Sequence, residues 1–203
     1  MTSYVTHYHR SDRPPFLSLS DVTPGRLEPV LAGLAGTASS PAPSRRRFGP
    51  RYLPLRLATE ARARELFLAA GGRPERDHPH YFVLGESAWF AGLYDDVREV
   101  RLPLAALPAP VTSFTCSDSI TALGLGESLG VPPPRPGSCR ALHRWDEREG
   151  VLGSQDTSGP PAAIAPGSYA GYQQRPLDCY VEVQLWSDAP VAAQLAAAAD
   201  WVG

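Results

Sequence analysis

The chain contains no lysine, since all nineteen of its basic residues are arginine. Schiff-base catalysis and a P-loop lysine are therefore excluded, and any bound phosphate must be held by arginine, backbone N–H groups or helix N-termini. Cysteine is scarce: the three residues Cys116, Cys139 and Cys179 form no C-x-x-C spacing. Neither a disulfide framework nor a zinc ribbon is indicated.

Long apolar runs and a charge excess are also lacking. No apolar stretch approaches the roughly 18 residues of a membrane-spanning helix, and no signal-peptide pattern opens the chain. The formal net charge of −2 gives no bulk attraction to nucleic acid or to an anionic membrane. These features predict a cytoplasmic bacterial protein that binds a small molecule, with neither a membrane nor a nucleic acid as its partner.

Hydrophobic periodicity predicts strands separated by few regular helices. The expected strands cover 4–10, 80–84, 97–104, 111–116, 139–145 and 179–186. The expected helices cover 54–70 and 188–201, with shorter ones after Thr23-Pro24 and at 87–94. Because strands mostly follow one another without helical crossovers, we expect an α+β fold, a single domain over 1–203 with a mixed or mainly antiparallel central sheet.

Two regions lack a regular pattern, and both are predicted to be loops. Residues 35–50 are rich in Gly, Ser, Pro and Ala and include Arg45, Arg46 and Arg47, which favours a flexible, solvated surface loop. Residues 124–176 form a long Gly/Pro-rich region, typical of a covering loop or an insertion. Pro29 is expected to interrupt the first helix or to mark its start, and Pro103 places the strand 97–104 at a sheet edge.

The strand 179–186 has the clearest alternation in the chain. Cys179, Val181, Val183 and Leu185 form an apolar face. The opposite face carries a carboxylate and an amide bracketed by two aromatic rings: Tyr180, Glu182, Gln184 and Trp186. Such a face suits a planar ligand or a sugar, with the rings stacking and Glu182 accepting hydrogen bonds. An ordinary packing surface is the alternative.

Three segments together resemble the ADP-ribosyltransferase superfamily, including the DNA-modifying DarT toxins and the tRNA 2′-phosphotransferases. They are an N-terminal strand His7-Tyr8-His9-Arg10, a hydroxyl-rich strand 112–117, and a late strand with Glu182. In that superfamily an Arg or His on the first strand holds NAD, a hydroxyl or Tyr lines the nicotinamide pocket, and a Glu stabilises the ribosyl oxocarbenium. The chain also resembles uncharacterised bacterial proteins.

The resemblance implies NAD as substrate and a role for each matching residue. Glu182 would be the catalytic carboxylate, and His9 or Arg10 would hold NAD. The nicotinamide pocket would use Ser113 or Thr115. The remaining expected contacts to NAD are His7, Tyr180, Gln184 and Trp186. In this sequence Gln184 follows Glu182, which reverses the order of the two side chains in Arg-specific members.

Other constellations offer competing chemistry. His7-x-His9 and His78-x-His80 each place two imidazoles at metal-ligand spacing, without a third-ligand motif, so no metal is predicted. Gly85-Glu86-Ser87, followed by Asp118 and His143, resembles half of a nucleophile elbow of a serine hydrolase, although Trp89 stands where that motif has Gly. The main alternative to the transferase is a non-catalytic module that binds a ligand or a protein through the aromatic strand face, and the serine hydrolase is the third hypothesis.

Overall fold

A computed structural model describes residues 3–36, 52–92, 96–126, 142–153 and 180–199. The strands are β1 (Tyr4–Arg10), β2 (His80–Leu84), β3 (Val97–Pro103), β4 (Thr112–Thr115), β5 (His143–Arg144) and β6 (Glu182–Leu185). The helices are α1 (Pro24–Gly36), α2 (Tyr52–Ala69), α3 (Ala88–Ala91), α4 (Ser119–Ala122), α5 (Arg148–Gly153) and α6 (Ala192–Ala199).

The six strands form one sheet in the order β3-β1-β2-β6-β4-β5, and every neighbouring pair is antiparallel. This confirms the α+β prediction and its antiparallel variant. The apolar strand β2 lies inside the sheet and β3, which ends at Pro103, lies at an edge, as their sequences predict.

One face of the sheet, called the apolar face below, carries the larger core. Because opposed residues of antiparallel strands point to the same side, the register places Phe82, Val183 and Phe114 together in one row. Val5, Leu185 and Trp145 belong to the same buried cluster. The apolar face is therefore closed by side chains from distant parts of the described chain, including Val191 just before α6.

The opposite face, called the polar face, is covered in part by α2. Ala63 and Phe67 of α2 pack with Trp186 and Leu142, and the Phe67 and Trp186 rings stack with centroids 6.1 Å apart. Sequence periodicity predicts a buried stripe of Ala63, Leu66, Phe67 and Ala70 on this helix. The prediction is right for Ala63 and Phe67, and Leu66 packs partly buried against them. It is wrong for Ala70, which is exposed just beyond the end of α2 at Ala69.

Some expectations from the sequence are corrected by the structure, and others concern residues that the structure does not describe. α1 runs from Pro24 through Pro29 to Gly36, because one proline removes a single backbone hydrogen bond of a long helix. Within the region 124–176, β5 and α5 are regular elements. Most of the predicted loops, with Arg45–47, Cys139 and Cys179, lies outside the described residues. No helix among the described residues is long and apolar enough to cross a membrane.

Candidate active site

Glu182 begins β6 on the polar face of the sheet. Its partners across the sheet are Val83 on β2 and Thr115 on β4. Its Oε1 atom accepts two hydrogen bonds of 3.1 Å, from the backbone N–H of Ser119 and from Nε2 of Gln184. The side chain remains partly exposed. Glu182 is thus a carboxylate held in place at one oxygen and reachable from solvent.

A continuous hydrogen-bonded chain of buried side chains supports this carboxylate. Nε1 of Trp186 donates to Oγ of Ser113 at 2.8 Å, and that hydroxyl donates to Oε1 of Gln184 at 2.9 Å. Nε2 of Gln184 donates to Oγ1 of Thr115 at 3.1 Å and to Glu182. Except for Glu182, these side chains are fully buried. Buried polar groups that are all satisfied are rigid, so the chain fixes the position of Glu182.

The environment of Glu182 favours its protonated form. Burial raises the pKa of Glu182 from 4.5 to about 7, and the negative charge of Asp118 adds to the effect. Hydrogen bonds from Ser119 and Gln184 oppose this change without cancelling it. A carboxyl group with a pKa near neutrality and solvent access is typical of a site that performs proton transfer or stabilises positive charge.

A second polar group lies on the same face, under α2. Glu60 of α2 is fully buried, and its Oε1 accepts from Nε of Arg56 at 2.8 Å and from the Tyr81 hydroxyl at 3.1 Å. The Arg56 guanidinium lies 4.7 Å from the centroid of the Tyr81 ring. Burial, and then the Glu60 charge, raises the pKa of Tyr81 well above its usual range, so the phenol is neutral. Tyr81 is paired with Gln184 across the sheet. It therefore lies between Glu60 with its partner Arg56 on one side and the hydrogen-bonded chain that supports Glu182 on the other.

His78 and His80 contact different acidic residues and do not form a joint site. Nδ1 of His78 lies 2.8 Å from Oε2 of Glu60, yet neither atom has a partner with hydrogen-bond geometry among the described residues. Nε2 of His80 lies 2.8 Å from Oδ1 of Asp188, and burial lowers the pKa of His80 against the opposing effect of Asp188. No cluster of three or more His, Cys, Asp or Glu residues suited to a metal occurs in the described part of the chain.

His7 and His9 do not meet Glu182, because they point to the apolar face. The ring of His7 stacks on Phe16 at 4.3 Å. Its Nδ1 donates to the Tyr81 carbonyl at 2.8 Å, and its Nε2 accepts from the Phe16 N–H at 3.1 Å. Burial lowers the pKa of His7 to about 4, so the ring is neutral. A site built from His9, Ser113 and Glu182 would need the three side chains around one cleft, and His9 does not meet this requirement, since odd positions of β1 face away from the side of the sheet that carries Glu182.

His9 and Arg10 are occupied at the end of β1. Nδ1 of His9 lies 2.9 Å from the carbonyl oxygens of Arg10 and Arg13, which hold the ring against the following turn. The Arg10 guanidinium makes two hydrogen bonds to the Asp12 carboxylate, of 2.8 and 2.6 Å. Both side chains therefore stabilise the turn after β1.

The aromatic strand face is only partly available to a ligand. Trp186 is fully buried and therefore offers no surface on which a ligand can stack. Tyr180 is partly buried, at 5.1 Å from Phe90 of α3 in an edge-to-face arrangement. Ser113, Thr115 and Gln184, expected as ligand contacts, are fully buried and bind one another. Alternation along β6 predicts the shared face correctly, but burial depends on α2, which lies far away in sequence.

The arrangement expected for a serine hydrolase is not present. Oγ of Ser87 accepts from the Phe90 N–H at 3.4 Å and caps α3. Asp118 caps α4 by accepting from the Thr121 N–H. The His143 ring stacks at 5.3 Å on Phe114, which belongs to the apolar face. Ser87 is therefore a helix cap, as its position before a helical turn also suggests.

Three residues of the site were not identified from the sequence, namely Glu60, Tyr81 and Ser119, and a fourth, Asp118, was considered only for a serine hydrolase. Asp118 had a usable signal, since an Asp after a strand and before a short helix is typical of an N-cap. Glu60 had none, because its spacing from Arg56 is that of an ordinary surface ion pair.

Comparison with family models, with curated proteins and with solved structures finds no match for the chain. The chemistry of the site therefore rests on its geometry. A fixed, partly exposed carboxyl group can accept a proton or stabilise a developing positive charge beside it.

Proposed function

We propose that the protein transfers the ADP-ribosyl group of NAD to an acceptor, with Glu182 as the catalytic residue. The observation that carries the proposal is the position of Glu182: it is partly exposed, fixed at one oxygen, and joined to Ser113, Thr115 and Gln184 in one network. The resemblance of three strand segments to ADP-ribosyltransferases supports the choice of NAD.

The reaction needs a negative charge beside the ribose. When the bond between C1′ and the nicotinamide nitrogen breaks, both electrons leave with nicotinamide, and C1′ becomes part of a cationic oxocarbenium. Ionised Glu182 stabilises this cation, and the acceptor then forms a bond to C1′ and loses a proton to Glu182 or to water. Gln184 and the Ser119 N–H hold the carboxylate at the required position.

The other residues have revised roles in this proposal. Ser113, Thr115 and Trp186 support Glu182 from beneath instead of contacting NAD, because they are buried. Tyr180 is the stacking residue, as a partly exposed ring two positions before Glu182, just ahead of the start of β6. His7 and His9 contribute to folding and not to NAD binding.

Nicotinamide release from NAD tests the proposal. The purified protein should release nicotinamide from millimolar NAD, with water as the default acceptor, and should be thermally stabilised by NAD. Glu182→Gln should lower the rate at pH 8 by at least about 100-fold, the scale typical of removing a group that stabilises a transition-state charge. Glu149→Gln changes an exposed carboxylate paired with Arg148 and should leave the rate unchanged.

Two results would overturn the proposal. One is the absence of both nicotinamide release and thermal stabilisation at millimolar NAD. The other is equal turnover by the wild-type protein and Glu182→Gln, with both proteins folded by circular dichroism.

A further inference from the structure

Asp118 sits immediately before the donor that binds Glu182. Its φ and ψ of −61° and 148° are those of an N-cap. Oδ1 accepts from the Thr121 N–H at 2.9 Å, and Oδ2 accepts from the Thr121 hydroxyl at 2.7 Å. These two bonds fix the first turn of α4 and leave the next N–H, that of Ser119, pointing away from the helix.

That next N–H is the one bound by Glu182. The Ser119 nitrogen lies 3.1 Å from Oε1 of Glu182, and the Ser119 side chain is buried. The carboxylates of Asp118 and Glu182 thus bind backbone donors of the same helical turn. Two negative charges in so short a span of backbone repel each other.

We infer that Asp118 is the positioning residue of this site: it caps α4 so that the Ser119 N–H is aimed at Glu182, and its charge opposes the ionisation of that carboxylate. The inference rests on the proposed transferase function, in which Asp118 raises the pH at which the catalytic carboxylate becomes charged.

Among the residues that the structure describes, the other elements next to Glu182 leave Asp118 as the main charge that acts on it. From β2, Tyr81 contributes a neutral phenol, and beyond it the Glu60 charge is paired with Arg56. From β4, Thr115 contributes a hydroxyl. Burial is the first cause of the raised pKa of Glu182 and Asp118 the second.

A carbon-13 NMR titration of the Glu182 carboxyl measures this coupling without any substrate. The Glu182 resonance is the one missing from Glu182→Gln, and in the wild-type protein its midpoint should lie at about 7. Asp118→Asn keeps the cap, since Asn and Asp are equally good at this position, and should lower the midpoint by about one pH unit. Asp12→Asn, which removes a distant exposed carboxylate, should leave the midpoint unchanged.

A second variant tests whether the Ser119 N–H stabilises the ionised form of Glu182. Ser119→Pro removes the donor to Glu182 at the first helical position, where proline is tolerated, and the extended backbone of Asp118 suits a following proline. The midpoint should then rise above the wild-type value. The two variants must therefore shift the midpoint in opposite directions.

The outcomes separate this inference from the proposed reaction. If Asp118→Asn is folded and its midpoint does not fall, the inference is overturned whatever the turnover. If the midpoints shift as expected but the wild-type protein does not release nicotinamide, the transferase proposal fails and the electrostatic role of Asp118 is supported. If the midpoints shift as expected and the wild-type protein releases nicotinamide, the acid limb of the pH–rate profile of Asp118→Asn should move to lower pH together with the midpoint.

Discussion

Replacing Glu182 by Gln should make the protein more stable at alkaline pH. The substitution keeps the shape of the side chain, and the amide oxygen can still accept from the Ser119 N–H and from Nε2 of Gln184. Only the charge is lost. A catalytic carboxylate kept in an unfavourable environment destabilises the folded state, and its neutral replacement should remove that effect.

The size of the effect follows from the pKa of Glu182. In the unfolded chain the carboxyl ionises at about its ordinary 4.5, and in the folded protein at about 7. Between these values the folded state holds a proton that the unfolded state has lost, so stability falls as pH rises through this window. The wild-type protein therefore loses less than about 1 kcal/mol at pH 5 and up to about 3 kcal/mol at pH 8. Partial exposure of Glu182 makes the latter figure an upper bound.

Urea unfolding of both proteins at pH 5 and pH 8 measures the difference. Glu182→Gln should gain about 2 kcal/mol relative to the wild type between the two values. Other ionising groups, His7 among them, are present in both proteins and cancel in the comparison. A stability difference that stays constant with pH, or a Glu182→Gln protein that is less stable than the wild type at pH 8, would refute the reasoning.

Two further predictions concern folding. His7 is neutral in the folded protein and accepts from the Phe16 N–H. Since burial lowers its pKa to about 4, stability should be lost as pH falls from 6.5 to 4, by up to about 3 kcal/mol from His7. Urea unfolding at the two pH values in the Glu182→Gln background measures the loss, to which His80, whose pKa burial also lowers, adds in the same direction. Gln184→Leu removes the acceptor of the Ser113 hydroxyl and the amide donor to Thr115 and Glu182, and should reduce the free energy of unfolding by about 2–4 kcal/mol; a loss below about 0.5 kcal/mol would contradict the network.

The sequence predicts most of the sheet because local patterns determine it. The alternation along β6 predicts which of its side chains face the apolar core, and the apolar run of β2 predicts that this strand lies inside the sheet. Both predictions are confirmed. Proline placed β3 at an edge for an equally local reason, the missing backbone donor.

The site was harder to predict because it depends on contacts between distant elements. His9 lies on the apolar face because the odd-numbered positions of β1 point to that side. The order of residue types along the chain does not show which side of the sheet a given residue faces. The burial of Trp186 is produced by α2, and Glu60 is buried because α2 packs on the same face of the sheet. A strand pattern shows which residues share a face but not which helix covers that face.

The pH dependence of nicotinamide release tests the central claim most directly, because it links the chemistry to one side chain. If ionised Glu182 stabilises the oxocarbenium, kcat/KM should rise about tenfold per pH unit below pH 7 and level off above it. Glu182→Gln should show neither the rise below pH 7 nor the high rate above it. A flat profile between pH 5 and 9, or the same profile in Glu182→Gln, would contradict the assignment of Glu182 as the catalytic residue.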